Sequence, residues 1–176
     1  MSSPCDPQRA PAGNVGAALM MVDSRLKAIY GGESVADPEE QALTAQFTAG
    51  WGPGELDDML DGACTLIYMY MHWLRQAYED HDQDVLAVVV PNLVATMRTM
   101  TRSVPPEVIP TMAGLLVAAG SGLSPSLWRK QYGYWTSEEM NPLEATVFLL
   151  AELINRITDD RAFATRLISE ALSVDD

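Results

Sequence analysis

The chain has 176 residues, 24 of them acidic and 11 basic, for a formal net charge of −13 at pH 7. That balance excludes a nucleic-acid binder working through overall charge. With 48% apolar and 20% charged residues, the chain is long enough for one self-supporting domain and too apolar for general disorder.

Residues 1–13 carry Pro4, Pro7 and Pro11 and few large apolar groups, and are expected to form a loose, disordered head. Residues 14–176 are expected to form a single all-α domain. Asn14 caps a first predicted helix, whose stripe Val15, Leu19, Val22, Leu26 and Ile29 alternates spacings of four and three. Lys27 and Gly31 close it. Asp37-Pro38-Glu39-Glu40 reads as a capping box that opens a short helix ended by Gly50, with Trp51 in the breaker run behind it.

A long helix is predicted over 55–78, with the stripe Leu56, Leu60, Ala63, Ile67, Tyr70, Leu74 and Ala77. Met59, Leu66, Met69 and Trp73 widen that stripe, so neighbours are expected on two sides, and a second copy of the chain is expected to cover what one layer leaves open. Residues 85–90 suit a strand or a helix. The helical context favours a helix from Asp84 to about Arg102, broken or kinked at Pro91. Pro105-Pro106 opens the next helix, which runs to Ala119. Ser124-Pro125 opens a short one ending at Tyr132. Asn141-Pro142-Leu143-Glu144 reads as a capping box for a central helix over 142–157, and Asp159 or Asp160 caps the last. The expected fold is an all-α bundle of seven to eight helices, with 55–78 and 142–157 central.

Two cysteines, Cys5 and Cys64, are too few for a disulfide framework or a zinc site and read as thiols of a reducing compartment. No apolar run approaches the ~20 residues of a membrane span. With no signal-peptide pattern at the start, the expectation is a soluble cytoplasmic protein with no membrane contact. Asp80, Asp82 and Asp84 match the first three ligand positions of a calcium loop, but Val85 and Pro91 stand where glycine and glutamate are needed. No metal and no cofactor are expected.

Aromatic residues concentrate in 68–78 and 128–135. Tyr68, His72 and Trp73 from the first group, with Trp128, Arg129, Tyr132 and Trp135 from the second, could wall a pocket for a flat, partly anionic organic molecule. No nucleophile accompanies His72, so turnover does not follow. Residues 113–132 also align with a helix-turn-helix, from which Arg129, Lys130 and Gln131 would project toward DNA. The acidic remainder of the chain opposes that alternative. No phosphate loop or nucleophile elbow is present. The leading expectation is a non-enzymatic interaction protein, homodimeric, binding a protein partner or a small organic ligand. The alternatives are a small-molecule-binding protein or enzyme with an aromatic pocket around His72 and Trp128, and a helix-turn-helix DNA-binding regulator using residues 113–132.

Overall fold

A computed structural model of the chain describes residues 4–31 and 53–174. Within them lie seven α-helices and no strand: α1 (Val15–Tyr30), α2 (Pro53–Glu79), α3 (Val85–Thr99), α4 (Ile109–Gly120), α5 (Pro125–Lys130), α6 (Met140–Thr158) and α7 (Phe163–Val174). Short 3-10 turns precede α1, α4 and α6. The all-α expectation holds. The helix predicted from Asp37 to Gly50, with Trp51, lies outside the described residues.

Several helix starts form as their sequences dictate. Asn14 Oδ1 accepts from Ala17 N at 3.0 Å, Asp84 Oδ1 from Leu86 N at 2.9 Å, and Ser124 Oγ from Leu127 N at 3.1 Å. Each satisfies one of the donors a helix N-terminus leaves orphaned. Two boundaries differ from expectation. Helix α3 runs through Pro91 and stops at Thr99, short of Arg102. Proline denies a donor to the carbonyl of Ala87, but both residues face solvent, where water can take over that carbonyl. The capping box before α6 is Thr136-Ser137-Glu138-Glu139, one turn upstream of the predicted one, and Asn141-Pro142 fall inside the helix.

Helix α2 touches every other helix. Leu60, Leu66, Ile67, Tyr70, Met71 and Leu74 are fully buried along it. Helices α1 and α6 cover one flank, while α4 and α5 cover the other. Helix α6 is the second pillar, with Leu143, Val147, Leu150 and Ile154 enclosed. The surplus apolar surface of α2 is therefore consumed inside the chain. Met59 is buried, Met69 packs on the core, and Trp73 meets Phe163 of α7 with ring centroids 5.4 Å apart. A second copy is not needed to cover that helix.

The segment expected to be a loose head is docked from Cys5 onward. Ser124 N donates to Cys5 O at 2.8 Å, Thr65 Oγ1 to Ala12 O at 2.8 Å, and Asn14 N to Asp58 O at 2.7 Å. Gly13, in the left-handed region at φ 69°, lies directly on the backbone of Asp58 and Gly62, with no room for a Cβ at either glycine. Backbone hydrogen bonds and a glycine-to-glycine approach hold this strap, and proline content conceals both.

Candidate functional site: a pinned aromatic loop

Helix α5 has six residues, and two of its polar side chains, Ser126 and Arg129, are buried. Arg129 Nε donates to Glu139 Oε2 at 2.7 Å and its Nη2 donates to Glu139 Oε1. Nη1 reaches Gly133 O and Nη2 reaches Tyr134 O, each at 3.2 Å. The guanidinium also lies over the Trp135 ring, 4.9 Å from its centroid. A planar fork is suited to such a task, since one side chain can clamp a carboxylate, two carbonyls and an aromatic face together.

Glu139 is held in turn from both sides. Thr136 N and Thr136 Oγ1 donate to Glu139 Oε1 at 3.0 and 3.1 Å. Burial alone would push this carboxyl up, but the hydrogen bonds from Arg129 and Thr136 and the charge of Arg129 hold it below the ordinary carboxylate range. The hydrogen bond to Glu139 likewise raises Arg129, against a smaller opposing effect of burial. Residues 131–139 thus form a loop closed across its base by a buried ion pair. Gly133 makes the turn at φ 119°. Trp135 packs inward with its indole N–H lacking a partner. Tyr132 and Tyr134 project outward, 71% and 91% exposed.

The neighbouring polar groups are equally engaged. Asp61 of α2 is buried and accepts from Ser126 Oγ at 2.7 Å and from Lys130 Nζ at 2.9 Å. Gln131 donates to Cys5 Sγ at 3.5 Å. Cys64 lies beside this cluster. Burial and the charge of Asp61 push its thiol far up, which leaves it an inert core group.

The seven residues of the expected pocket fall into separate places. Tyr68 and His72 stack on each other at 6.4 Å, with His72 exposed on α2. Trp73 packs against α7. Trp128 lies on Gly114 of α4, where its indole occupies the space a Cβ would need, and its edge meets Tyr132 at 5.4 Å. Arg129 and Trp135 are buried in the base of the loop. No ring contact joins the two aromatic groups among the described residues. Two cavities stand out, and none of the seven residues lines either. One is an apolar space of about 20 Å³ between α1, α2 and α6. The other is a polar groove of about 460 Å³ where the ends of α2 and α4 meet the start of α3.

The helix-turn-helix alignment also needs correcting at its reading residues. Arg129 does not project, because Glu139 draws it inside. Lys130 lies on Asp61, and Gln131 on Cys5. Asp84 of the calcium-like run is the cap of α3, and Asp82 sits in the left-handed region at φ 58°. Among the described residues no three His, Cys, Asp or Glu side chains are grouped to hold a metal ion, and no helix is long and apolar enough to cross a membrane.

Sequence reasoning counted Tyr134 among the aromatics of 128–135 without making it a site residue, and missed Glu139, Asp61 and Ser126. The Thr136-to-Glu139 spacing of a capping box was the available signal for Glu139. Comparison with family models, curated proteins and solved structures gave no match.

Proposed function

We propose that the chain is a non-enzymatic helical interaction protein of the cytoplasm, acting as a homodimer, that offers the loop 131–139 to a protein partner. One observation carries this reading. Arg129, Glu139 and Thr136 are spent on pinning the loop, while Tyr132 and Tyr134 stay in water. Holding two large amphipathic rings outward on a fixed backbone costs solvation and loop entropy. It also removes the ordering cost that a partner would otherwise meet on binding. Tyrosine supplies contact area with only two side-chain torsions to freeze, which suits a recognition surface. His72, stacked on Tyr68 at the surface, has no nucleophile or third group beside it in any hydrogen bond of the described residues, which supports the non-enzymatic side of the reading.

The test is cross-linking in cells of the source, followed by mass spectrometry, with the wild-type chain and with a Tyr132→Ser, Tyr134→Ser variant shown to be folded by circular dichroism. The proposal expects specific cross-links to be lost in the variant. An identical set from both chains would overturn it.

A further inference from the structure

Arg129 and Arg25 are both mostly buried, but their surroundings serve them very differently. Arg129 donates to a carboxylate and two carbonyls. Arg25 of α1 makes no hydrogen bond among the described residues. Its only ion contact there is with Glu144 of α6, and Arg25 Nη1 stands 3.7 Å from Glu144 Oε1, beyond hydrogen-bond distance. Its Nε is buried with no partner. The Phe148 ring packs against its face, with the guanidinium carbon 4.8 Å from the ring centroid. A guanidinium carries five N–H donors, and taking them out of water without acceptors is costly. A group left in that condition points to an acceptor that comes from outside the chain.

Beside this group lies the apolar space between α1, α2 and α6. Glu144 lines it together with Met21, Met59 and Met140, and the rest of the lining is aliphatic. Met21 stands one turn before Arg25 on α1. A volume of about 20 Å³ takes little more than one or two methyl-sized groups. Methionine side chains, however, are unbranched and repack readily around a guest. Glu144 thus joins two features, a buried cation short of acceptors and a small hydrocarbon space.

We propose that this corner binds a short-chain aliphatic monocarboxylate, its carboxylate accepting from the Arg25 guanidinium and its tail entering the space among Met21, Met59 and Met140. The planar fork of an arginine matches a carboxylate with two parallel hydrogen bonds. The neighbouring charges select the ligand's charge. A phosphate or a dicarboxylate would bring a second negative charge beside Glu144, and an ammonium would meet Arg25. The size of the space selects the length, a chain of about four carbons whose last two or three are enclosed. The site shares no residue with the loop 131–139, so this proposal stands apart from that of the preceding section.

Butyrate titrated into the full chain at pH 7 tests the proposal, read by NMR on isotope-labelled methionine methyl groups. It expects saturable shifts at Met21, Met59 and Met140, while Met20, exposed on α1, and Met112, buried in α4, stay unmoved. Acetate lacks the tail and is expected to bind at least about tenfold more weakly. Butylammonium leaves the three methyl groups unshifted. Arg25→Lys keeps the charge but loses the fork, and is expected to weaken butyrate at least about tenfold. Glu144→Gln removes the anion that competes for Arg25 and strengthens binding. Circular dichroism checks that both variants are folded, and the ligand comparisons on the wild-type chain need neither of them. No saturable shift up to about 10 mM butyrate, equal shifts from butyrate and butylammonium, or an unchanged butyrate affinity in folded Arg25→Lys would each overturn the site.

Discussion

Two arginine–glutamate pairs show how differently one chemistry behaves at two depths of this molecule. Arg129 and Glu139 are 10% and 9% exposed in their side chains, while Arg156 and Glu152 on α6 are 66% and 24% exposed. The first pair joins residues from two elements and carries carbonyls, a threonine and an aromatic ring with it. The second spans one helical turn and carries nothing. Removing one partner from a buried pair strands a charge out of water, whereas an exposed pair exchanges one solvated arrangement for another. The corner around α5 is therefore more sensitive to loss of one charged partner than the exposed face of α6.

The largest expected effect follows directly. Arg129→Ala leaves Glu139 buried without its partner and frees the carbonyls of Gly133 and Tyr134. A loss of about 3 kcal/mol is expected, or roughly 6–12 °C in Tm for a chain of this size. Thermal unfolding followed by circular dichroism reads it, and a change below 2 °C would remove the distinction between the two pairs. The pair also has a pH signature. Because Glu139 titrates below its ordinary value in the folded state, its contribution is present above the ordinary range near 4.5 and is lost as pH falls through the lower folded value. Glu139→Gln should accordingly flatten the acid limb of the stability curve while lowering stability at pH 7.

Gly114 sharpens the same corner from the other side. Any side chain there displaces the Trp128 indole, which has α4 beneath it and Tyr132 at its edge. Gly114→Val should cost about 1–3 kcal/mol through overpacking. It should also shift tryptophan emission to the red as the ring moves into water. An unshifted spectrum with unchanged Tm would show that the indole does not rest there.

How much of this was legible in the sequence depends on the kind of signal. The α2 stripe from Leu56 to Leu74 and the caps Asn14, Asp84 and Ser124 are local patterns with local consequences, and the structure reproduces them. The destination of Arg129 is not local. Its charge read as a surface feature because nothing in residues 128–132 reveals a carboxylate ten positions on that turns back to meet it. Trp73 and Trp128 were recognised as notable rings, but Phe163 and the bare backbone of Gly114 decide where they rest. The strap at Cys5 to Gly13 was hidden for the same reason, since its partners Ser124, Thr65 and Asp58 lie far along the chain.

Glu144 is the intermediate case and carries the opposite sign. It faces Arg25 at 3.7 Å, with side chains 24% and 12% exposed, and Arg25 Nε lacks a hydrogen-bond partner. Burial pushes this carboxyl above its ordinary value, and Arg25 only partly offsets that. A raised folded value means that the native state gains stability as pH falls through it. Glu144→Gln should therefore raise Tm modestly at pH 7, with the gain shrinking toward pH 4. Urea unfolding at both pH values checks the sign. A loss at pH 7 would mean that Arg25 depends on this carboxylate more than burial opposes it.

The smallest effect belongs to the exposed pair. Glu152 lies one turn before Arg156 on α6, the favourable order for a helix, and Arg156 Nε stands 2.9 Å from Glu152 Oε1. Water already solvates the guanidinium, and freezing two long side chains costs much of what their attraction returns. Arg156→Ala should change stability by no more than about 0.5 kcal/mol, under roughly 2 °C in Tm, and the difference should vanish in 0.5 M salt as screening removes the attraction. The same salt should leave the Arg129→Ala deficit almost intact, because ions do not enter the base of the loop. Equal salt sensitivity of the two deficits would mean that solvent reaches Glu139, and the contrast between the two depths would fail.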